Sequence, residues 1–146
     1  MPSLNISLSS GQPLIQVFVA VSLPRQQAMI AAGIEIPPPK AGTFLIDTGA
    51  SCTCVDQSLM EGLGIAPTGV INIQTPSTEG GSHACNTYDV MFFIPDNQNT
   101  GYVIEALPVV ETHLKTQGID GLIGRDILDK CLLVYNGTAS FLTLSY

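Results

Sequence analysis

One acidic residue stands in an unusual place. Asp47 directly follows three apolar residues, Phe44-Leu45-Ile46, and precedes Thr48-Gly49-Ala50-Ser51. A strand that carries a carboxylate out of an apolar core meets a desolvation cost unless the group is hydrogen-bonded or shares a proton. Gly49 permits a tight turn and lets backbone N–H groups approach the carboxylate, and Thr48 adds a hydroxyl that can lock the turn. On these residues alone Asp47 is a candidate site. The alternative is an ordinary turn in which the Asp side chain bonds its own backbone. A second group also invites a chemical reading: Cys52-x-Cys54 and His83-x-Cys85 supply four soft ligands, the number a tetrahedral zinc ion takes, which would make a zinc-stabilised β domain. Both pairs are separated by a single residue, whereas structural zinc sites space their ligands by two or more. The favoured reading has Cys52 and Cys54 as small apolar side chains, one of them able to make activity redox-sensitive, with no metal and no cofactor.

The elements that must position Asp47 read as mostly β. Leu14 to Leu23 is a long run rich in Val, Ile and Phe, as expected of a buried strand. Pro24 to Lys40 reads as a loop, with three consecutive prolines at 37–39 and a short turn of helix around Gln27 to Ala32. Thr43 to Ile46 is a short strand that ends at Asp47. Ser58 to Leu63 makes a helical turn closed by Gly64. Val70 to Gln74 and Tyr88 to Ile94 form the arms of a hairpin with a small polar tip at 77–82. Tyr102 to Val110 is a further strand, and Pro108 in it marks an edge or an end. Asp126 to Lys130 is a short helix. Cys131 to Tyr135 and Ala139 to Leu144 are strands joined through Asn136-Gly137, a strong hairpin signal. The expectation is one all-β domain over 1–146, a small barrel or sandwich with one or two short helices.

Composition narrows the partners. The chain has 146 residues, of which 45% are hydrophobic and 12% charged, a balance that suits a packed core and argues against disorder. A net charge of −7 with no basic patch points to no nucleic acid and no anionic membrane surface. No stretch approaches the roughly 20 apolar residues of a membrane helix. Met1-Pro2-Ser3-Leu4-Asn5 lacks a basic segment leading into an apolar one, so no secretory signal is read. Four cysteines make no dense disulfide framework, and the expectation is reduced thiols in a cytoplasm. The glycosylation patterns at Asn5-Ile6-Ser7 and Asn136-Gly137-Thr138 are then coincidental.

Phe44-Leu45-Ile46-Asp47-Thr48-Gly49-Ala50 resembles the active-site loop of retropepsin-like aspartic peptidases, where alanine follows the glycine. That family has a second signature late in the chain, which Leu122-Ile123-Gly124-Arg125-Asp126-Ile127-Leu128 resembles. The hairpin tip Glu79-Gly80-Gly81 lies between the two, in the order of a retropepsin flap. The resemblance covers about Gly42 to Tyr146 and leaves 1–41, read as N-terminal strands and a loop, weakly matched. It implies a closed small barrel with a flap hairpin and one short C-terminal helix. It further implies hydrolysis of polypeptide by a pair of carboxylates acting on one water.

Only one Asp-Thr-Gly is present, so the second carboxylate would be Asp47 of another copy across a two-fold axis, making the partner a homodimer. By resemblance Asp47, Thr48 and Gly49 are catalytic, with Thr48 bonding across that axis. Ala50, Ser51, Cys52, Cys54, Gly80 and Gly81 would line the substrate, while Gly124 and Arg125 are structural. One position departs from the pattern. Retroviral enzymes carry Asp two residues after the motif glycine and pair it with the late Arg, but here that position is Ser51. Arg125 must then find Asp56 or a main-chain carbonyl. Drift at Ser51 is also where a second reading enters, a catalytically silent dimerisation or peptide-binding module.

Overall fold

The computed structural model describes residues 1–74, 81–98 and 100–146. Its strands are β1 (Ser3–Ser7), β2 (Leu14–Val21), β3 (Lys40–Ile46), β4 (Cys54–Asp56), β5 (Gly69–Ile73), β6 (His83–Ile94), β7 (Tyr102–Thr112), β8 (Gly121–Ile123), β9 (Leu132–Asn136) and β10 (Phe141–Ser145). Three helices join them: α1 (Leu23–Ala31), α2 (Gln57–Leu63) and α3 (Arg125–Leu128). The sheet runs β2-β3-β8-β4-β7-β6, and β2 pairs again with β6, so these strands close into a barrel with β5 added outside. Alternation explains the closure. Ile15, Val17, Val19 and Val21 of β2 point inward, as do Tyr88, Val90, Phe92 and Ile94 of β6, and all are buried. Phe44 meets Phe92 edge-on at 5.4 Å in the centre of this core. Burying an aromatic of this kind contributes about 3 kcal/mol.

One crossing matters most for the site. β8 runs parallel to β3, pairing Phe44 with Gly121 and Ile46 with Ile123, and antiparallel to β4, pairing Cys54 with Leu122. The late strand is thus inserted between two strands that are near neighbours in sequence, and residues 47–53 must pass over its end. Gly121 makes the insertion possible, because a Cβ there would lie 2.2 Å from the Phe44 ring and 2.6 Å from the Cys54 carbonyl.

Several elements differ from the reading of the sequence. α1 spans Leu23–Ala31 where only a turn was expected, starting with proline in its first turn, a position that needs no N–H. None of its residues is buried, so it carries no apolar stripe to announce it. Pro108 sits inside β7 opposite Asp89, yet β4 pairs with β7 only from Val110 onward, so the missing N–H faces no neighbour. The β9–β10 turn is the four residues 137–140, where the sequence reading ended the first strand at Tyr135 and began the second at Ala139. Asn136 pairs with Phe141, its side chain accepts from Ala139 N at 2.9 Å, and Ser140 takes φ 54°. β1 lies along β10 in a separate sheet, β1-β10-β9, so the N-terminal segment pairs with the C-terminal strand of its own chain. No helix among the described residues is long and apolar enough to cross a membrane.

A buried carboxylate ties the barrel to α2. Asp56, 4% exposed, accepts Ser58 N (2.9 Å), Ser58 Oγ (2.7 Å), Leu114 N (2.7 Å) and Lys115 N (2.9 Å). Burial pushes its pKa up, but these donors outweigh that and hold it at about 2. An unfolded Asp titrates near 3.9, so the ionised form is favoured by folding. Its contribution is complete above that value and is lost as pH falls toward 2. Asp56→Asn should cost about 1–3 kcal/mol at neutral pH, because an amide cannot accept from all four donors. The same variant should flatten the loss of stability between about pH 4 and pH 2, as read by urea unfolding. Parallel pH slopes for variant and wild type would contradict this role.

Candidate active site

Asp47 sits where β3 runs off the barrel. Its N–H donates to the Ile123 carbonyl at 3.0 Å, one last rung of the β3–β8 ladder. The chain then turns. Gly49 N–H donates to Asp47 Oδ1 at 2.9 Å and Ala50 N–H to the Asp47 carbonyl at 3.2 Å. Asp47 is half-buried, while Thr48, Gly49 and Ser51 are exposed. Among the described residues the Gly49 N–H is the only donor to this carboxylate, which leaves most of its lone pairs open.

The turn is fastened from the opposite side by the residues after β8. Thr53, wholly buried, donates its N–H to Asp126 Oδ2 (2.9 Å) and its hydroxyl to Asp126 Oδ1 (2.8 Å), and accepts Gly124 N–H at 3.2 Å. Arg125 N–H donates to the Ala50 carbonyl at 2.9 Å, and Arg125 Nη1 to the Thr48 carbonyl, also at 2.9 Å. Arg125 therefore uses a main-chain carbonyl and not Asp56, whose oxygens are already engaged. Gly124 is required by proximity: a Cβ there would fall 2.5 Å from the Cys52 carbonyl group.

The sequence reading gave Gly124 and Arg125 a structural role, quoted Asp126 in the second signature without giving it one, and missed Thr53. The available signal was a hydroxyl between two cysteines in a strand-like run, since a buried polar group demands a partner.

The cysteines form the floor beside this turn. Cys54 is buried with Cys85, Val110, Leu114 and Ile119, and Cys52 packs against the same cluster. Burial, and then the neighbouring Cys52, Asp126 and Cys85, push the Cys54 thiol up to about 12. All four cysteines are free thiols. Among the described residues no group of three or more His, Cys, Asp or Glu side chains is arranged to hold a metal ion. The β5–β6 hairpin rises over the cluster, Ile73 facing His83 as its last pair. Gly81 is exposed with open space around its Cα. Of the expected tip at 77–82, residues 77–80, Gly80 among them, lie outside the described residues, as do 75 and 76.

Comparison with known proteins agrees with this layout. A family model described as aspartyl protease matches residues 39–127, from the start of β3 into α3. Among solved structures, a retropepsin-like aspartic protease from Rickettsia conorii is similar with a TM-score of 0.63 at 16% identity. The match covers 99% of this chain and 91% of that one. The barrel is thus of the retropepsin-like fold anticipated from the motif order. Comparison with curated protein sequences finds no match.

The fastening of the turn can be tested without any assay of function. Thr53→Val keeps the shape but strips Asp126 of its hydroxyl donor and Gly124 N–H of its acceptor. It should lower unfolding free energy by about 1–3 kcal/mol in a urea titration. A change below about 0.5 kcal/mol would show that the turn holds without this link.

Proposed function

Because the chain belongs to the aspartyl protease family, we propose that it is an endopeptidase whose working unit is a homodimer with one Asp47 from each chain. The observation that carries this reading is the contrast at Asp47: a single accessible carboxylate with one hydrogen bond, on a turn held rigid by Gly124, Arg125 and Asp126. One such group is half of a dyad. Two carboxylates about 3 Å apart cannot both ionise, so the pair shares a proton and titrates as a unit. The ionised member takes a proton from a water as that water adds to the peptide carbonyl. The protonated member hydrogen-bonds the carbonyl oxygen as it becomes tetrahedral. Proton return to the amide nitrogen then breaks the C–N bond, with no covalent intermediate and no metal.

In this reading residues 1–146 act as one protease domain, and Asp47, Thr48 and Gly49 form the catalytic turn. Arg125 occupies the Thr48 carbonyl while the Thr48 side chain stays exposed, as a residue bonding across a two-fold axis must be. Gly49 would meet the substrate backbone. Ala50, Ser51, Cys52 and Cys54 would flank an extended polypeptide lying on the floor with apolar side chains on either side of the cleaved bond. The β5–β6 hairpin, to which Gly81 leads, would close over it as a flap and exclude water.

Ala50 withholds the hydroxyl that serine offers in pepsin-like enzymes, which leaves the dyad less stabilised in its ionised form. Activity is expected at mildly acid to near-neutral pH.

The test is cleavage of unfolded casein by wild type and Asp47→Asn at matched concentration. Wild type should cleave between about pH 4 and pH 7, with specific activity rising with enzyme concentration as dimers form, and the variant should lose at least about a hundredfold. A maximum near pH 2 would contradict the account of Ala50. No cleavage at any pH by a protein that still sediments as a dimer would favour the silent peptide-binding module.

A further inference from the structure

A recess of about 300 Å³ opens where the β5–β6 hairpin meets the end of β7, lined by Ile73, His83, Cys85, Asn86, Glu111 and His113. Its inner wall is apolar and continuous with the floor, since Cys85 packs with Cys54, and Cys52 adjoins the same cluster. Its outer wall carries a fixed charge. Glu111 Oε2 accepts from Asn86 Nδ2 at 2.8 Å and Oε1 from Tyr88 Oη at 3.1 Å.

Both of those donors are neutral. Among the described residues the ion pair is Lys115 with Asp120, and no cation is paired with Glu111. The carboxylate is thus oriented but not neutralised, and its field pushes up the Cys85 thiol and the Tyr88 hydroxyl, each after the larger effect of burial. Thr112, on the same wall, has a buried hydroxyl with no partner among the described residues. A concave site with one preset carboxylate, spare acceptors and an apolar inner face fits a long side chain with a cationic end.

We propose that this recess is a specificity subsite for an arginine or lysine side chain of the polypeptide substrate, with Glu111 as its selector. The inference rests on the proteolytic reading above. A peptide laid under the hairpin passes Ile73 and His83, the last pair before the tip, and the recess lies at that pair. The aliphatic stem would lie against Ile73 and Cys85 while the charged end reaches Glu111. Asn86 and Tyr88 are positioning residues that aim the carboxylate.

The experiment uses internally quenched peptides identical except at one position, which carries Arg, Lys, Gln or Glu and is walked along both sides of the cleaved bond. At one position Arg or Lys should exceed Gln in kcat/KM by about tenfold, as expected of one charge-assisted pair, with Glu poorest. Glu111→Gln should bring that ratio near one, and about 1 M salt should shrink it in wild type. A flat profile at every position, or a preference that survives in Glu111→Gln, would overturn the proposal. If Glu111→Gln does not fold by circular dichroism, the salt series decides, and a ratio unmoved by salt rejects it. If no peptide is cleaved, the proteolytic reading fails, and the same peptides are titrated onto the protein by calorimetry. Preferential binding of the Arg peptide, weakened by salt, then supports the recess as a basic-side-chain site; equal binding of all four, or none, rejects it.

Discussion

The Asp126 carboxylate receives both polar hydrogens of the buried Thr53, and the site is built on that contact. Residues 47–53 leave β3, cross the end of β8 and re-enter the barrel as β4. A segment in that position has no strand partner of its own, so its backbone groups need other acceptors and donors. Gly124, Arg125 and Asp126 provide them from a single short stretch. Residues some seventy positions apart in sequence therefore behave as one rigid corner. Remove it and Asp47 would sit on an ordinary exposed loop with no fixed position for its carboxylate.

The acidic residues of the barrel divide by how fully their oxygens are used. Asp56 accepts from four donors and joins α2 to the segment after β7. Asp120 accepts Thr43 N–H and pairs with Lys115, holding the entrance to β8. Asp126 is spent on Thr53 and on Ile127 N–H. Asp47 has one donor and partial exposure. A carboxylate whose lone pairs are filled by fixed donors is committed to holding them, whereas one with open lone pairs can still accept from water or a ligand. At Asp56, Asp120 and Asp126 the carboxylate is thus committed to structure, while that of Asp47 keeps open lone pairs at the end of β3.

Around that free carboxylate the floor is graded. Cys52 and Cys54 give small, polarisable contact surface next to the turn, and burial keeps the Cys54 thiol protonated and inert. Farther out, β6 and β7 bring Asn86 and Glu111 together one step beyond the Thr87–Val110 pair, and Tyr88 reaches Glu111 from the other side of that pair. The apolar part offers contact without direction, while the charged end is the one place along it with a fixed, oriented carboxylate.

Much of this was legible in the residues themselves. The alternation of Ile15, Val17, Val19 and Val21 marks an inward face because strand side chains repeat every two positions, and Gly64 closes α2 at φ 64° because only glycine takes that angle freely. The apolar run into Asp47-Thr48-Gly49 and the ordered Gly124-Arg125-Asp126 stretch likewise show in local chemistry. Other features did not show. No residue of α1 is fully buried, and Ile30, its large apolar residue near the end, is exposed, so little in the apolar pattern announces the helix. The insertion of β8 between β3 and β4 is a long-range pairing with no local signal, and it alone selects Thr48 as the partner of Arg125 and Thr53 as that of Asp126. Residue types and short spacings are written along the chain, so the long strands β2, β6 and β7, the close of α2 and the candidate acid Asp47 could be read from it, while the short β1, β4 and β8 could not. Which distant groups meet depends on closing loops of seventy residues and more, and that was decided only when the tertiary structure brought β8 into place.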